Sequence, residues 1–414
     1  MKELSLRFKI IVSTIIQLIR SGYEKFFNYS ILYTYDSVSQ NSFQVLKITK
    51  YDNIFCGYYD VSPFNPFDSD LIALHATNLS AYAKNSILTS VDILVYRLSS
   101  QEVINVDHSS AWNWQQGSRL QWVDQKSLIY NVIHEGYVRA KKTCITNGSS
   151  EIFPIPISIL NGVDGFASID YFAMTEGSEY GYPGIKCESF NSRVQYYRFS
   201  DQTITTFFDW RELSPKLLIA GATKEHINHI LFAPNGKYFV YIHRFWVNKR
   251  RFDSLIGFDI DKKTLEPIIT NQTVSHYCWK DDSTLFAWLI INGNPGYYYI
   301  DILTKEYTLV YAEDDGHPNW LFGDVYITDR YVGSRFGGNL LQAEIVNLST
   351  KKNFPLVKLS HPAILDYSHR CDMHISISNN KSRFQLDSRH LHNKRTVIVG
   401  CLPDLCRNTS LYHL

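Results

Sequence analysis

The sequence predicts an all-β protein, a seven-bladed β-propeller with a short N-terminal helical segment. Three observations carry that prediction. From residue 44 onward, short runs of Val, Ile, Tyr, Phe and Leu alternate with turn clusters, and no long helical periodicity appears. Aromatic residues are abundant, 28 Tyr and 24 Phe among 414 residues, a bias that suits strands. The third observation is repetition. Four segments open on a histidine: His229-Ile-Leu-Phe-Ala-Pro-Asn-Gly, His276-Tyr-Cys-Trp-Lys-Asp-Asp, His317-Pro-Asn-Trp-Leu-Phe-Gly-Asp and His374-Ile-Ser-Ile-Ser-Asn-Asn. An apolar residue follows three places after each (Phe232, Trp279, Trp320, Ile377), and in three of them a turn rich in Asn, Asp or Gly leads to a second strand-like run.

Weaker relatives lie upstream. Tyr58-Tyr-Asp-Val-Ser-Pro-Phe-Asn leads into Leu71, Arg119-Leu-Gln-Trp-Val-Asp-Gln into Leu128, and Gly165-Phe-Ala-Ser-Ile-Asp into Tyr171. Taking these as unit starts gives spacings of 61, 46, 64, 47, 41 and 57 residues. A four-stranded propeller blade takes about 40–50 residues, so seven units fill the chain and the longer spacings leave room for loops. Radial closure also removes the exposed edges of so large an open sheet. The ring is expected to close by pairing residues 43–49 with residues 396–402. A pair of β-sandwiches or a β-helix is the alternative; the β-helix would need shorter and stricter repeats. The expected organisation is a lead-in with an amphipathic helix over residues 1–42, the propeller over 43–405 and a tail over 406–414.

Composition is that of an ordinary globular protein, 45% hydrophobic and 20% charged. A net charge of +1 leaves no nucleic-acid footprint. Seven scattered cysteines lack CxxC spacing, which excludes zinc-finger and thioredoxin-like readings and fits a reducing compartment. A cytoplasmic location is therefore expected, with a periplasmic one as the alternative. At the N-terminus, Lys2, Arg7, Lys9, Arg20 and Lys25 surround an apolar run from Ile10 to Ile19 broken by Ser13, Thr14 and Gln17. The run is too short to span a bilayer, which takes about 20 apolar residues. No small-x-small cleavage site follows it. The expectation is an amphipathic helix packed on the domain or resting peripherally on a membrane; an uncleaved anchor or signal is the alternative.

Equivalent positions in a propeller become neighbours around the channel, so the unit starts Tyr58, Arg119, His229, His276, His317 and His374 are expected near one mouth. Such a titratable set is costly to bury without partners and reads as a site. Before the last unit stands Ser368-His369-Arg370-Cys371-Asp372-Met373-His374. On an extended strand Asp372 and His374 share a face. With His369 and His317 they form an N/O donor set suited to Mn²⁺, Zn²⁺, Fe²⁺ or Ni²⁺, the alternative being a hydrogen-bonded polar cluster. Arg244 and Arg251 lie where a guanidinium would bind a carboxylate bidentately. Tyr58, Trp114 and Arg119 combine aromatic faces with polar rims, which suits sugar rings; inter-blade packing is the alternative for the tryptophan. No GxSxG, P-loop, GxGxxG or kinase signature occurs, and no paired carboxylates for glycoside hydrolysis stand out.

The His-x-x-(Phe/Trp)-turn-strand units resemble the TolB-type propeller repeat. The last unit resembles the metal-binding blade of oligogalacturonate lyases, seven-bladed propellers that cleave acidic oligosaccharides by β-elimination. The resemblance implies Mn²⁺, a catalytic histidine and an arginine. It places His317 and His374 on metal-binding histidines, Asp372 where the family has a histidine and His369 where it has an amide. It places His276 on the catalytic base, with Arg244 as first choice for the arginine, Arg251 as second, and His229 flanking the catalytic group. The segments around Gly57, Asn228, Asp315 and Arg370 also resemble propellers found with bacterial surface-polysaccharide genes, some of which carry a glycosyltransferase label. The expected function is a monomeric lyase acting on a uronate-containing oligosaccharide or polysaccharide. A non-catalytic glycan- or protein-binding propeller, and a glycosyltransferase or hydrolase using the same pocket, are the alternatives.

Overall fold

The computed structural model describes residues 32–34, 43–80, 89–162, 164–171, 174, 180–182, 192–335, 338–361, 370–391 and 394–402. The C-terminal tail, His369 and all of the N-terminal segment before residue 32 lie outside these residues. Within the expected helical lead-in, Leu32–Thr34 is instead a strand, paired antiparallel with residues 357–359. No helix among the described residues is long and apolar enough to cross a membrane.

The rest is mainly strand, as the aromatic and β-branched runs require, with one short helical stretch at Trp210–Leu213 and Ser214–Leu217. All strand pairings are antiparallel. The first sheet orders Asn53–Phe55, Leu71–Thr77, Val91–Arg97 and Val103–Ser109. The second holds Gln121–Trp122, Ser127–His134, Tyr137–Cys144 and Ser150–Ile152, and the third Ile159–Asn161, Gly165–Ser168, Arg193–Arg198 and Ile204–Asp209. A seven-stranded sheet runs from Thr223–Phe232 to Tyr307–Tyr311. Asn319–Phe322, Val325–Arg335, Gly338–Asn347 and Lys352–His361 make the next, with Leu32–Thr34 on its edge. The last joins Ser376–Ile377, Arg383–Leu391, Lys394–Cys401 and Phe43–Val45.

Hydrogen bonding thus gives six sheets where the repeat count suggests seven. The reason is one continuous strand, Thr264–Trp279. Its first half pairs with Arg250–Asp259 and its second half with Thr284–Ile291, and no turn separates the two roles. A second departure concerns the third unit. Gly165 opens the second strand of its sheet, and the first strand is the short Ile159–Asn161 upstream. In the first sheet, Phe55 pairs with His75 and Phe64 bridges Ile72. Residues 57–62 therefore leave the sheet between two points on the same neighbouring strand, and this excursion carries Tyr58, Tyr59 and Asp60.

The core lies between sheets rather than within one. Phe55, Val95 and Tyr130 join the first two, and Ile129, Phe166 and Tyr197 the next pair. Phe232 packs with Phe239, Phe258 and Tyr196. Trp320 packs against Phe286, and Ile377 against the cluster of Leu321, Ile327 and Leu386. Val397 and Val399 of the last sheet meet Ile54, Leu74 and Leu94 of the first. Phe43–Val45 pairs with residues 398–400, so an N-terminal and a C-terminal strand share one sheet, as the sequence leads one to expect.

Candidate active site

Local backbone distortion sets the histidines. His229 and His374 adopt left-handed backbone, φ 57° and 45°, as does Arg119 at φ 58°. Non-glycine residues seldom do so, and those that do gather at functional sites. Pairing shifts register between Asn228 and Leu231 and between Val274 and Tyr277. These irregularities take His229 and His276 out of strict alternation, the way a bulge re-aims a side chain.

All four imidazoles meet around the tyrosines of the excursion. Ring centroids lie 5.4, 6.4, 6.2 and 4.9 Å from Tyr58 for His229, His276, His317 and His374. His276 and His317 are 4.2 Å apart, and His317 and His374 are 4.6 Å apart. Tyr59 is fixed by exchange with the Tyr277 backbone: its hydroxyl accepts from the Tyr277 N–H at 2.8 Å and donates to that carbonyl at 3.0 Å. His229 stacks on the Tyr277 ring at 4.1 Å, and neither of its ring nitrogens has a hydrogen-bond partner.

Carboxylates divide the histidines into kinds. Asp315 sits 2.9 Å from His276 Nδ1 and accepts the Ser275 hydroxyl at 2.5 Å. An ionised carboxylate only accepts, which assigns the proton to Nδ1 and leaves Nε2 basic. Burial lowers the His276 pKa, and Asp315 opposes that without reversing it. His317 Nδ1 lies 2.6 Å from Asp329, which by the same reasoning leaves its Nε2 with a free lone pair when the ring is neutral. Burial lowers the His317 pKa as well, but Asp329 and the other carboxylates outweigh it and raise the value overall. Burial, seconded by His317, pushes His374 well below the ordinary value, and its Nε2 has no hydrogen-bond partner. Asp372 accepts Arg370 Nε at 2.6 Å and the Tyr331 hydroxyl at 2.5 Å. Burial would raise its pKa, yet Arg370 and the two neighbouring imidazoles hold it well below the carboxylate range.

His317, Asp372 and His374 each offer a ligand atom, and these three atoms lie within 4.8 Å of one another. Two imidazoles and a carboxylate, one imidazole carrying an orphaned buried nitrogen, fit a divalent cation. Beside them is a cavity of about 340 Å³ whose wall includes His276, Asp315, His317, Tyr331, Arg370 and Asp372. The base-like dyad and two members of the triad, His317 and Asp372, therefore line one space.

The other expected residues fall elsewhere. Arg119 is buried and clasps Asp60 bidentately at 2.9 and 3.0 Å, with its Nε on the Ser158 carbonyl. It braces the tyrosine excursion from within. Trp114 is a core residue, packed 5.3 Å from Phe55 and 4.9 Å from Trp112, so inter-blade packing describes it and a sugar contact does not. Arg244 bonds Asp253 through Nε at 2.6 Å and reaches the Val274 carbonyl; Arg251 approaches the same Asp253 at 3.2 Å. Neither arginine lines the cavity. Two others do: Arg330, held by Glu344 and Glu313, and Arg370, two residues before Asp372. The alternation that pairs Asp372 with His374 also points to Arg370. Asp315 stands two residues before His317 in a similar way. Asp329 and Tyr331 had no signal, because their partners are distant in sequence.

No protein-family model and no curated protein matches the chain. Solved structures do. An oligogalacturonate lyase in complex with manganese aligns with a TM-score of 0.62 at 11% identity, over 91% of this chain and 97% of that one. The oligogalacturonate lyase of Vibrio parahaemolyticus gives 0.61 at 11% identity, covering 90% and 97%. The tricorn protease gives 0.53 at 10% identity, over 90% of this chain and 35% of that one. At such identities the likeness is one of fold: the chain is a β-propeller of the type seen in oligogalacturonate lyase.

Proposed function

We propose that this chain is a seven-bladed propeller that cleaves uronate-containing glycans by β-elimination, with His276 as base and a divalent cation, manganese first, at His317, Asp372 and His374. Seven blades are supported by dividing the seven-stranded sheet at Thr264–Trp279, and by apolar clusters that join successive sheets and then the last to the first. The observation that carries the chemistry is the His276–Asp315 pair lining one cavity beside His317 and Asp372 of the cation-type triad.

Elimination removes the proton at C5, next to the uronate carboxylate, and breaks the C4–O4 bond. The C–H electron pair becomes the C4–C5 double bond, and O4 departs with its own pair and takes a proton from solvent. His276 suits the first event. It is held neutral by burial, and Asp315 fixes the tautomer that leaves Nε2 to accept the proton. Arg370 supplies fixed positive charge at the cavity wall, where the substrate carboxylate gains charge as the proton leaves. Arg370 replaces Arg244 in this role. A divalent cation held by His317, Asp372 and His374 would supply Lewis-acid charge when bound.

Burial of Tyr58 among the imidazoles, at 7% exposure, favours a second reading. In it the histidines are a polar lining and the propeller binds a glycan or protein of a surface-polysaccharide pathway without chemistry.

Ultraviolet absorbance of an unsaturated uronate product, on acidic oligosaccharides with and without EDTA, separates the two. We expect product that EDTA abolishes, and that His276→Ala abolishes without loss of the folded circular-dichroism spectrum. Full activity in that variant would remove His276 from the role. No product on any acidic glycan would leave the binding reading.

A further inference from the structure

The carboxylate of Asp329 is buried at the cavity wall and takes three donors from the segments that lead into two different sheets. Its Oδ1 accepts the His317 backbone N–H at 3.0 Å and faces His317 Nδ1 at 2.6 Å. Its Oδ2 accepts the Ile375 N–H at 3.4 Å. Ile375 follows His374 directly, so one side chain holds the segment of one cation-type ligand and borders the other. The surrounding packing leaves this geometry little freedom. A Cβ on Gly316 would meet the Asp329 carbonyl oxygen at 1.8 Å, and Gly316 bridges Arg330 across the same strand. Asn319 Nδ2 donates to the Ile375 carbonyl at 2.8 Å, a second tie between the two segments.

We propose that Asp329 is the positioning residue of the cation site. It holds the Nδ1 proton of His317 so that Nε2 faces Asp372 and His374, and it sets the register between the His317 and His374 segments. The inference rests on the cation reading of the triad, and not on elimination chemistry. Carboxylates behind metal-binding imidazoles fix tautomer and ring orientation, and their loss weakens binding by about 10–100-fold. Here the same group also orders the backbone beside a second ligand, so the effect belongs at the upper end of that range.

The test is calorimetric titration of the cation-free protein with Mn²⁺. Asp329→Asn keeps one acceptor oxygen, removes the charge and sets an amide NH2 in place of the second acceptor, so the His317 and Ile375 N–H groups can no longer both be received. We expect Mn²⁺ affinity to fall about 10–100-fold. Wild-type affinity in a folded Asp329→Asn protein would overturn the proposal. If that variant does not fold, the wild type decides. Nitrogen-15 shifts of His317, in cation-free protein at a pH where the imidazole is neutral, should show the Nδ1–H tautomer; an Nε2–H tautomer overturns it. Wild-type protein that binds no Mn²⁺ overturns the cation reading and this inference together. Protein that binds Mn²⁺ but yields no unsaturated product removes only the lyase reading.

Discussion

His276 and His317 have similar neighbours and opposite electrostatics. Each has a carboxylate on Nδ1, but burial wins at His276 and the carboxylates win at His317. The base must be neutral to act. Activity should therefore be lost as pH falls through the His276 pKa, and burial places that acid limb of kcat/KM below the ordinary 6.5. Asp315→Asn removes the influence that raises the value, so the limb should move to lower pH while the plateau falls because the tautomer is no longer held. A limb that moves upward would contradict the assignment. The pairings behind this behaviour were only partly readable from the sequence. The repeat exposes the four histidines because they recur, and Asp372 because it alternates with His374. Asp329 is 12 residues from His317 with a turn between, and Asp60 is 59 residues from Arg119, so neither has a local pattern to betray it.

Turns carried much of what could be foreseen in the strands. Asp281 was expected to make a turn, and its carboxylate accepts the N–H groups of Ser283 and Thr284 at 2.9 and 2.7 Å. The third unit was displaced because its first strand is three residues long, too short to show a period. The inward excursion at 57–62 was invisible for another reason: its shape depends on Arg119 receiving Asp60 from another sheet. A comparable dependence holds where the chain turns at Gly117. That residue has φ 58°, and a Cβ there would meet the His75 ring at 2.2 Å. His75 cannot yield readily, since its Nε2 takes the Ser118 N–H at 3.0 Å and lies 2.9 Å from the Ser118 hydroxyl. Gly117→Ala should therefore destabilise by about 1–3 kcal/mol, through overpacking added to backbone strain. Denaturant titration would show it as a lower midpoint at unchanged slope.

The propeller depends on joining chain ends that are more than 350 residues apart. Val399 is 2% exposed, pairs with Gln44 and packs against the first sheet. An aspartate there would bury a charge without a partner, so Val399→Asp should cost more than about 4 kcal/mol. A melting temperature within a degree or two of wild type would mean that this seam does not hold the molecule together. The pairing of the strand-like run at 43–49 with that at 396–402 was legible in the sequence. The sheet count was not, because hydrogen bonding runs on through Thr264–Trp279 where the sequence repeat restarts.

The convergence of His276, His317 and His374 from successive sheets also has a consequence for synthesis. During translation the dyad of His276 and Asp315 is complete before its neighbour His374 emerges, 57 residues after His317. The strand that receives Phe43–Val45 comes later still, at Lys394–Cys401. A nascent chain that stops before Arg370 thus holds the dyad but lacks the wall formed by Arg370 and Asp372, so the pocket is finished only after those residues have been made.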